Sequence, residues 1–129
     1  CSSDLVGNYA LEATDSATYQ DEAGVTTCTE MTVSLSRGQS TLNIDEVNYK
    51  CADTVTKDFR PLTFGLSDSI LTQGSKDVGS ITEKGFTVTI NTDYKISLVL
   101  NDATKKYVFV LNNVLNNKAY KLNGDLTKN

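Results

Sequence analysis

The sequence contains no histidine and no tryptophan, and only one proline, among its 129 residues. Without histidine the chain cannot form Ser-His-Asp or Cys-His catalytic groups in their usual forms, and it lacks the commonest ligand of zinc and iron sites. It also lacks a Gly-x-Ser-x-Gly segment, the glycine-rich loops that bind nucleotides, and the spacing of an EF-hand calcium loop. These absences predict that the protein is not an enzyme and holds no metal or cofactor.

Long apolar runs and basic clusters are also missing. No run approaches the 18 residues of a membrane-spanning helix. The net charge is -4, and the densest basic spot is Lys105-Lys106. Nucleic-acid binding needs clustered lysine and arginine, and docking on anionic lipid by charge alone needs them too. Nucleic acid is therefore excluded as a predicted partner.

Apolar and polar residues alternate along most of the chain, the period-two pattern of strands with one buried face. Three runs show it most clearly: Met31, Val33 and Leu35; Phe86, Val88 and Ile90; and Tyr107, Phe109 and Leu111. Turn residues separate such runs by short connections. The pattern predicts an all-β domain over residues 5–129, an antiparallel β-barrel or sandwich of about eight to ten short strands.

Two details refine this prediction. The alternation shifts phase at Asp45-Glu46, which predicts a bulge or a break in that strand. Pro61 lies in the segment from Phe59 to Leu66. Because proline has no N–H to donate, we expect this segment to be an edge strand or a connection.

The three cysteines are Cys1, Cys28 and Cys51. Cys28 and Cys51 lie in strand-like segments separated by a plausible hairpin, so we expect them to form a disulfide and leave Cys1 over. Two buried free thiols are the alternative. A zinc site is disfavoured, because the chain has no histidine and no Cys-x-x-Cys spacing to supply further ligands. A disulfide indicates an oxidising compartment.

The first residues, Cys1-Ser2-Ser3-Asp4, resemble the start of a mature bacterial lipoprotein after removal of its signal peptide. The resemblance implies a lipid anchor on Cys1, with residues 1–4 as a tether to the membrane. Ser2 at the second position implies the outer membrane, with the domain in the periplasm or at the cell surface. The alternative is a chain boundary that happens to fall on a cysteine.

The segment Leu5-Val6-Gly7-Asn8-Tyr9-Ala10-Leu11 resembles the opening of lipocalin-like domains, with Tyr9 at the place of their tryptophan. The resemblance implies an eight-stranded barrel that holds a small apolar ligand. Aromatic residues of the predicted strands are then candidates for ligand binding, namely Tyr9, Tyr94, Tyr107 and Phe109. Ordinary core packing is the alternative for each of them.

A second resemblance leads to a different function. Tyr49-Lys50-Cys51 resembles the Tyr-x-Cys segment of periplasmic lysozyme inhibitors, which are also small β-barrel lipoproteins. It implies a module that binds a protein partner, and an acidic chain would attract a basic enzyme. A structural envelope lipoprotein without a small ligand is the third hypothesis. Of the three, we expect the small-ligand binding module.

Overall fold

The computed structural model describes residues 5–52, 54–56, 61–115 and 117–129. No α-helix occurs in this part of the chain, and twelve strands form one antiparallel sheet. The strands are β1 (Gly7–Ala10), β2 (Ala17–Asp21), β3 (Gly24–Arg37), β4 (Thr41–Cys51), β5 (Thr54–Thr56), β6 (Leu62–Ser67), β7 (Ile70–Gln73), β8 (Lys76–Thr82), β9 (Gly85–Asn91), β10 (Tyr94–Asn101), β11 (Lys106–Leu115) and β12 (Lys118–Lys128).

The sheet closes into a barrel. Its neighbours run in the order β3, β2, β12, β11, β10, β9, β8, β7, β6, β4, and β4 pairs again with β3. Ten strands therefore form the ring, and β5 is an extra strand that pairs with β4. The predicted all-β antiparallel barrel is confirmed. The ring has two strands more than the eight that the lipocalin-like resemblance implies.

β1 and β2 share one position in the ring, between β3 and β12. The chain leaves the wall between them in a loop, residues 11–16. Lys106 Nζ lies 3.2 Å from Glu12 Oε1 and 3.3 Å from Asp15 Oδ2, and it donates to Thr127 Oγ1 at 2.7 Å. These contacts hold the loop against the barrel, so the two strands act as one interrupted strand.

The sequence detail at Asp45 is confirmed, and the one at Pro61 is corrected. Ser34 pairs with Glu46 and Leu35 with Ile44, which leaves Asp45 as the extra residue of a bulge. The segment after Pro61 is not a connection, because β6 lies within the ring: residues 62–65 pair with β4 and residues 65–67 with β7, whereas Phe59 lies outside the described residues. Pro61 directly precedes the first residue of β6, so its missing N–H does not interrupt the ladder.

Inward-facing apolar side chains fill the barrel. The largest fully buried ones are Tyr9, Phe64, Phe86, Phe109, Leu5, Met31, Leu42, Ile44, Leu71, Ile96, Leu98 and Leu111. If the interior held a cavity large enough for a water molecule, the side chains that line the cavity would have accessible surface. Tyr9, Phe64 and Phe109 are each 0% exposed, so these three are packed on all sides by protein.

Cys28 and Cys51 form a disulfide, as predicted. The two residues are direct cross-strand partners in β3 and β4, and both side chains are buried. Two residues before Cys51, Tyr49 points into the barrel, because it pairs with buried Met31. The covalent link therefore fixes β4 against β3 close to that tyrosine.

We expect the Cys28→Ser, Cys51→Ser double variant to lose about 3 kcal/mol of unfolding free energy, because the unfolded chain regains the freedom of the loop that the disulfide closes. The sequence separation of the two cysteines is 23. Urea unfolding of the oxidised protein and of the variant measures the difference. The oxidised protein treated with a reductant is the control and should match the variant. Equal stability of all three samples would contradict the expectation.

Candidate functional site

Four tyrosines gather at one end of the barrel: Tyr19 on β2, Tyr49 on β4, Tyr94 on β10 and Tyr120 on β12. We call this end the tyrosine end. The hairpin turns between β2 and β3, between β9 and β10, and between β11 and β12 lie there. The chain enters the barrel at the opposite end, because β1 pairs with the last part of β3.

Strand alternation explains why the four rings point inward. Tyr120 stands two residues before buried Leu122, and Tyr94 two residues before buried Ile96. Tyr19 and Tyr49 likewise stand two residues from buried inward positions on their own strands. All four rings are half-buried and pack on the core. On each of the four strands, the tyrosine is the aromatic residue nearest this end of the barrel. The next inward-facing residue toward the middle of the barrel belongs to the core.

Three of these rings form a stack. Tyr19 lies 5.8 Å from Tyr49 with an angle of 20° between the ring planes, and 5.8 Å from Tyr120 with an angle of 19°. These are offset-stacked pairs, the arrangement that aromatic rings favour. Because β2 lies between β12 and β3, with β4 beyond, Tyr19 is the middle ring of the stack. Its two faces are therefore partly covered by the neighbouring rings.

The Tyr19 and Tyr94 hydroxyls at this end stay protonated at neutral pH. Burial raises the pKa of Tyr94 to about 12, and the nearby Tyr120 hydroxyl adds to the effect. Burial also raises the pKa of Tyr19, with further contributions from the Asp21 carboxylate and from Tyr120. Tyr120 thus lies close to both other hydroxyls. Each uncharged phenol can donate one hydrogen bond and accept others.

Two polar side chains accompany the tyrosines. Asp21 follows Tyr19 by one inward position on β2, and its Oδ1 accepts a hydrogen bond from the Ala23 amide at 2.9 Å. Asn113 is the direct partner of Tyr120 across β11 and β12 and is half-buried. The tyrosine end therefore combines aromatic rings with hydroxyl, carboxylate and amide groups.

The residues predicted as ligand-binding do not lie in one place. Tyr9 and Tyr107 are in contact, with ring centroids 5.0 Å apart at 71°, and Phe109 follows Tyr107 on the same face of β11. Tyr94 lies at the other end. It stands six residues before Leu100, the partner of Tyr107, which is about 20 Å along β10.

Tyr9 and Phe109 belong to the interior. Both side chains are 0% exposed, and the Tyr9 hydroxyl donates to the Leu5 carbonyl oxygen at 2.7 Å. Burial also raises the pKa of Tyr9 well above its ordinary value, with a smaller contribution from Tyr107. A ligand in the half of the barrel that contains Tyr9 and Phe109 would have to displace core side chains and break the hydrogen bond from Tyr9 to Leu5.

Sequence reasoning missed Tyr19, Tyr49 and Tyr120 as members of one site. Alternation indicates the inward positions of Tyr49 and Tyr120, whereas Tyr19, which the sequence predicts in a loop, lies on β2. Their contact depends on the pairing of β12 with β2, which joins distant parts of the chain. Cys1 and the rest of the predicted tether, residues 1–4, lie outside the described residues.

Within the described part of the chain, no three histidine, cysteine, aspartate or glutamate side chains are grouped so that they could hold a metal ion. In the same residues, no helix has the length and apolar character needed to cross a membrane. Comparison with known proteins finds no matching family model, no matching curated protein and no matching solved structure.

The raised pKa of Tyr94 predicts lower stability at high pH. An unfolded chain releases the tyrosine proton near the ordinary pKa of 10.0, whereas the folded chain keeps the Tyr94 proton until about 12. The contribution of Tyr94 to the unfolding free energy is therefore fully present below pH 10, and it is lost as the pH rises from 10 to about 12.

We expect the Tyr94→Phe variant to show a shallower loss of unfolding free energy in this range. The loss should persist in part, because the pKa values of Tyr9 and Tyr19 are raised too. Urea unfolding at a series of alkaline pH values measures the slope, and unfolding at neutral pH is the control for general damage. An unchanged slope in a variant of normal stability would contradict the expectation.

Proposed function

We propose that this protein is a non-catalytic binding module that takes a small ligand at the tyrosine end. The observation that carries the proposal is the group of four half-buried tyrosines, three of them stacked, at one mouth of a closed barrel. Tyrosine combines an apolar ring with a polar tip, which suits a surface that binds part apolar, part polar molecules. Barrel mouths are common ligand sites.

The burial of the other candidates favours this end over the interior. Tyr9 and Phe109 have no exposed surface, whereas Tyr94 and the three stacked rings are half-buried. Packing of the stack also holds its rings in place before any ligand arrives, which lowers the entropy lost on binding. The apolar part of a ligand would therefore contact the tyrosines, and the ligand would not replace the core.

We also propose that the module is tethered by a lipid on Cys1 to the bacterial outer membrane, with the domain in the periplasm or at the cell surface. Leu5 and β1 lie at the end of the barrel opposite the tyrosines. A tether attached there would present the tyrosine end away from the membrane. This orientation suits a site that must meet a ligand in solution.

The proposal predicts that the neutral fluorescent dye N-phenyl-1-naphthylamine binds at the tyrosine end. Its fluorescence should rise on addition of protein, with no overlapping tryptophan emission because the chain has no tryptophan. We expect Tyr94→Ala to weaken dye binding about tenfold, or about 1.4 kcal/mol, through loss of apolar contact. Val99→Ala is the matched control, since Val99 lies on the same strand but is exposed.

Three results of the titration are informative. Loss of binding in Tyr94→Ala with normal binding in Val99→Ala supports the site. Normal dye binding by Tyr94→Ala together with weak binding by Tyr107→Ala would show that the dye binds in the half of the barrel that contains Tyr107. Absence of any fluorescence change with the natural sequence would contradict the small-ligand proposal.

A protein partner is the second candidate function, and one observation favours it. The segment that resembles lysozyme inhibitors includes Tyr49, one of the four tyrosines of this end, and Cys51, whose disulfide fixes the segment there. A partner that binds this segment would cover the same end of the barrel. A lysozyme assay with micromolar protein separates the two functions: inhibition supports the protein partner, and full lysozyme activity eliminates this kind of inhibitor.

A further inference from the structure

We propose that the ligand of the tyrosine end is an uncharged saccharide, recognised by the tyrosine hydroxyls together with Asp21 and Asn113. This inference rests on the proposed binding function and specifies its ligand class. Three features of the tyrosine end carry it: the closed floor below the tyrosines, the stacking of Tyr19 with two other rings, and the polar groups beside it.

The floor of the site is closed. Each tyrosine is followed toward the barrel centre by an inward residue with almost no exposed surface: Ala17 at 1%, Val47 at 1%, Ile96 at 1% and Leu122 at 0%. An acyl chain or another long apolar molecule needs a channel that leads into the barrel. These residues border no such channel, so the ligand lies across the end of the barrel and contacts the tyrosines from outside.

The stack disfavours one other class of shallow ligand. A quaternary ammonium group binds over open aromatic faces. Tyr19 stacks with both Tyr49 and Tyr120, which partly cover the faces of its ring. The middle of the site therefore offers a ring edge and a hydroxyl, which suit a ligand that forms hydrogen bonds across its width.

The polar groups match the hydroxyls of a sugar. Tyr120 lies near both Tyr19 and Tyr94, so this end carries three phenol hydroxyls, and those of Tyr19 and Tyr94 are uncharged at neutral pH. Each can donate and accept, as a sugar hydroxyl does. The Asp21 carboxylate adds an acceptor, held by the Ala23 amide, and Asn113, whose Oδ1 accepts from the Val114 amide, adds the N–H donors of its side chain. The same carboxylate disfavours acidic sugars.

The experiment uses an array of uncharged oligosaccharides that includes chitotriose, maltotriose and cellotriose, followed by calorimetric titration of the strongest binder. We expect at least one of these glycans to bind the natural sequence. Tyr120→Phe removes one hydroxyl from the site and should weaken that binding about tenfold. Tyr107→Phe removes one hydroxyl at the opposite half of the barrel and is the matched control, with unchanged affinity.

The dye titration separates failure of this inference from failure of the proposed function. Tyr120→Phe keeps the apolar ring, so its affinity for N-phenyl-1-naphthylamine should stay within about twofold, which also shows that the variant is folded. Dye binding that depends on Tyr94 without glycan binding would overturn the saccharide and leave the binding module. Glycan binding that Tyr120→Phe does not weaken would also overturn it. Failure of dye and glycans alike would remove both proposals.

Discussion

The pairing of β3 with β4 is the constraint on which the rest of the structure depends. It is the hydrogen-bonded contact that turns a long antiparallel sheet into a ring, and the Cys28–Cys51 disulfide links the same two strands covalently. Closure leaves the ring without a free edge, and it turns the apolar faces of all ten strands toward one shared core. The core and the tyrosine end both exist because of this closure.

Closure also explains how the site is assembled. Tyr49 lies on β4 and Tyr19 on β2, and β3 between them carries no aromatic side chain that would separate the two rings. Tyr120 comes from the last strand, which pairs with β2 near the start of the chain. The stack therefore joins the middle of the chain with both of its ends. The same closed core forms the floor of the tyrosine end.

Much of the fold was predictable from local patterns. Met31, Val33 and Leu35 alternate with polar residues, and the alternation identifies a strand wherever it packs. The bulge at Asp45 was visible as a phase shift in the same pattern, and Cys28 and Cys51 lie on adjacent strands of one hairpin. The prediction of a connection at β6 was wrong, because Pro61 lies one residue before the strand. Its missing N–H therefore removes no hydrogen bond from the sheet. Of the predicted ligand-binding residues, Tyr94 alone lies at the tyrosine end.

The sequence by itself determined most of the strands, the inward faces of those strands and the disulfide partners, because the alternation of side chains and the geometry of a hairpin are local properties of the backbone. Only the tertiary structure decided that the sheet closes as a barrel of ten strands, and that Tyr19, Tyr49 and Tyr120 meet while Tyr9 and Phe109 are enclosed. These outcomes depend on the register between strands far apart in the chain. That register is set by how all the inward side chains pack together.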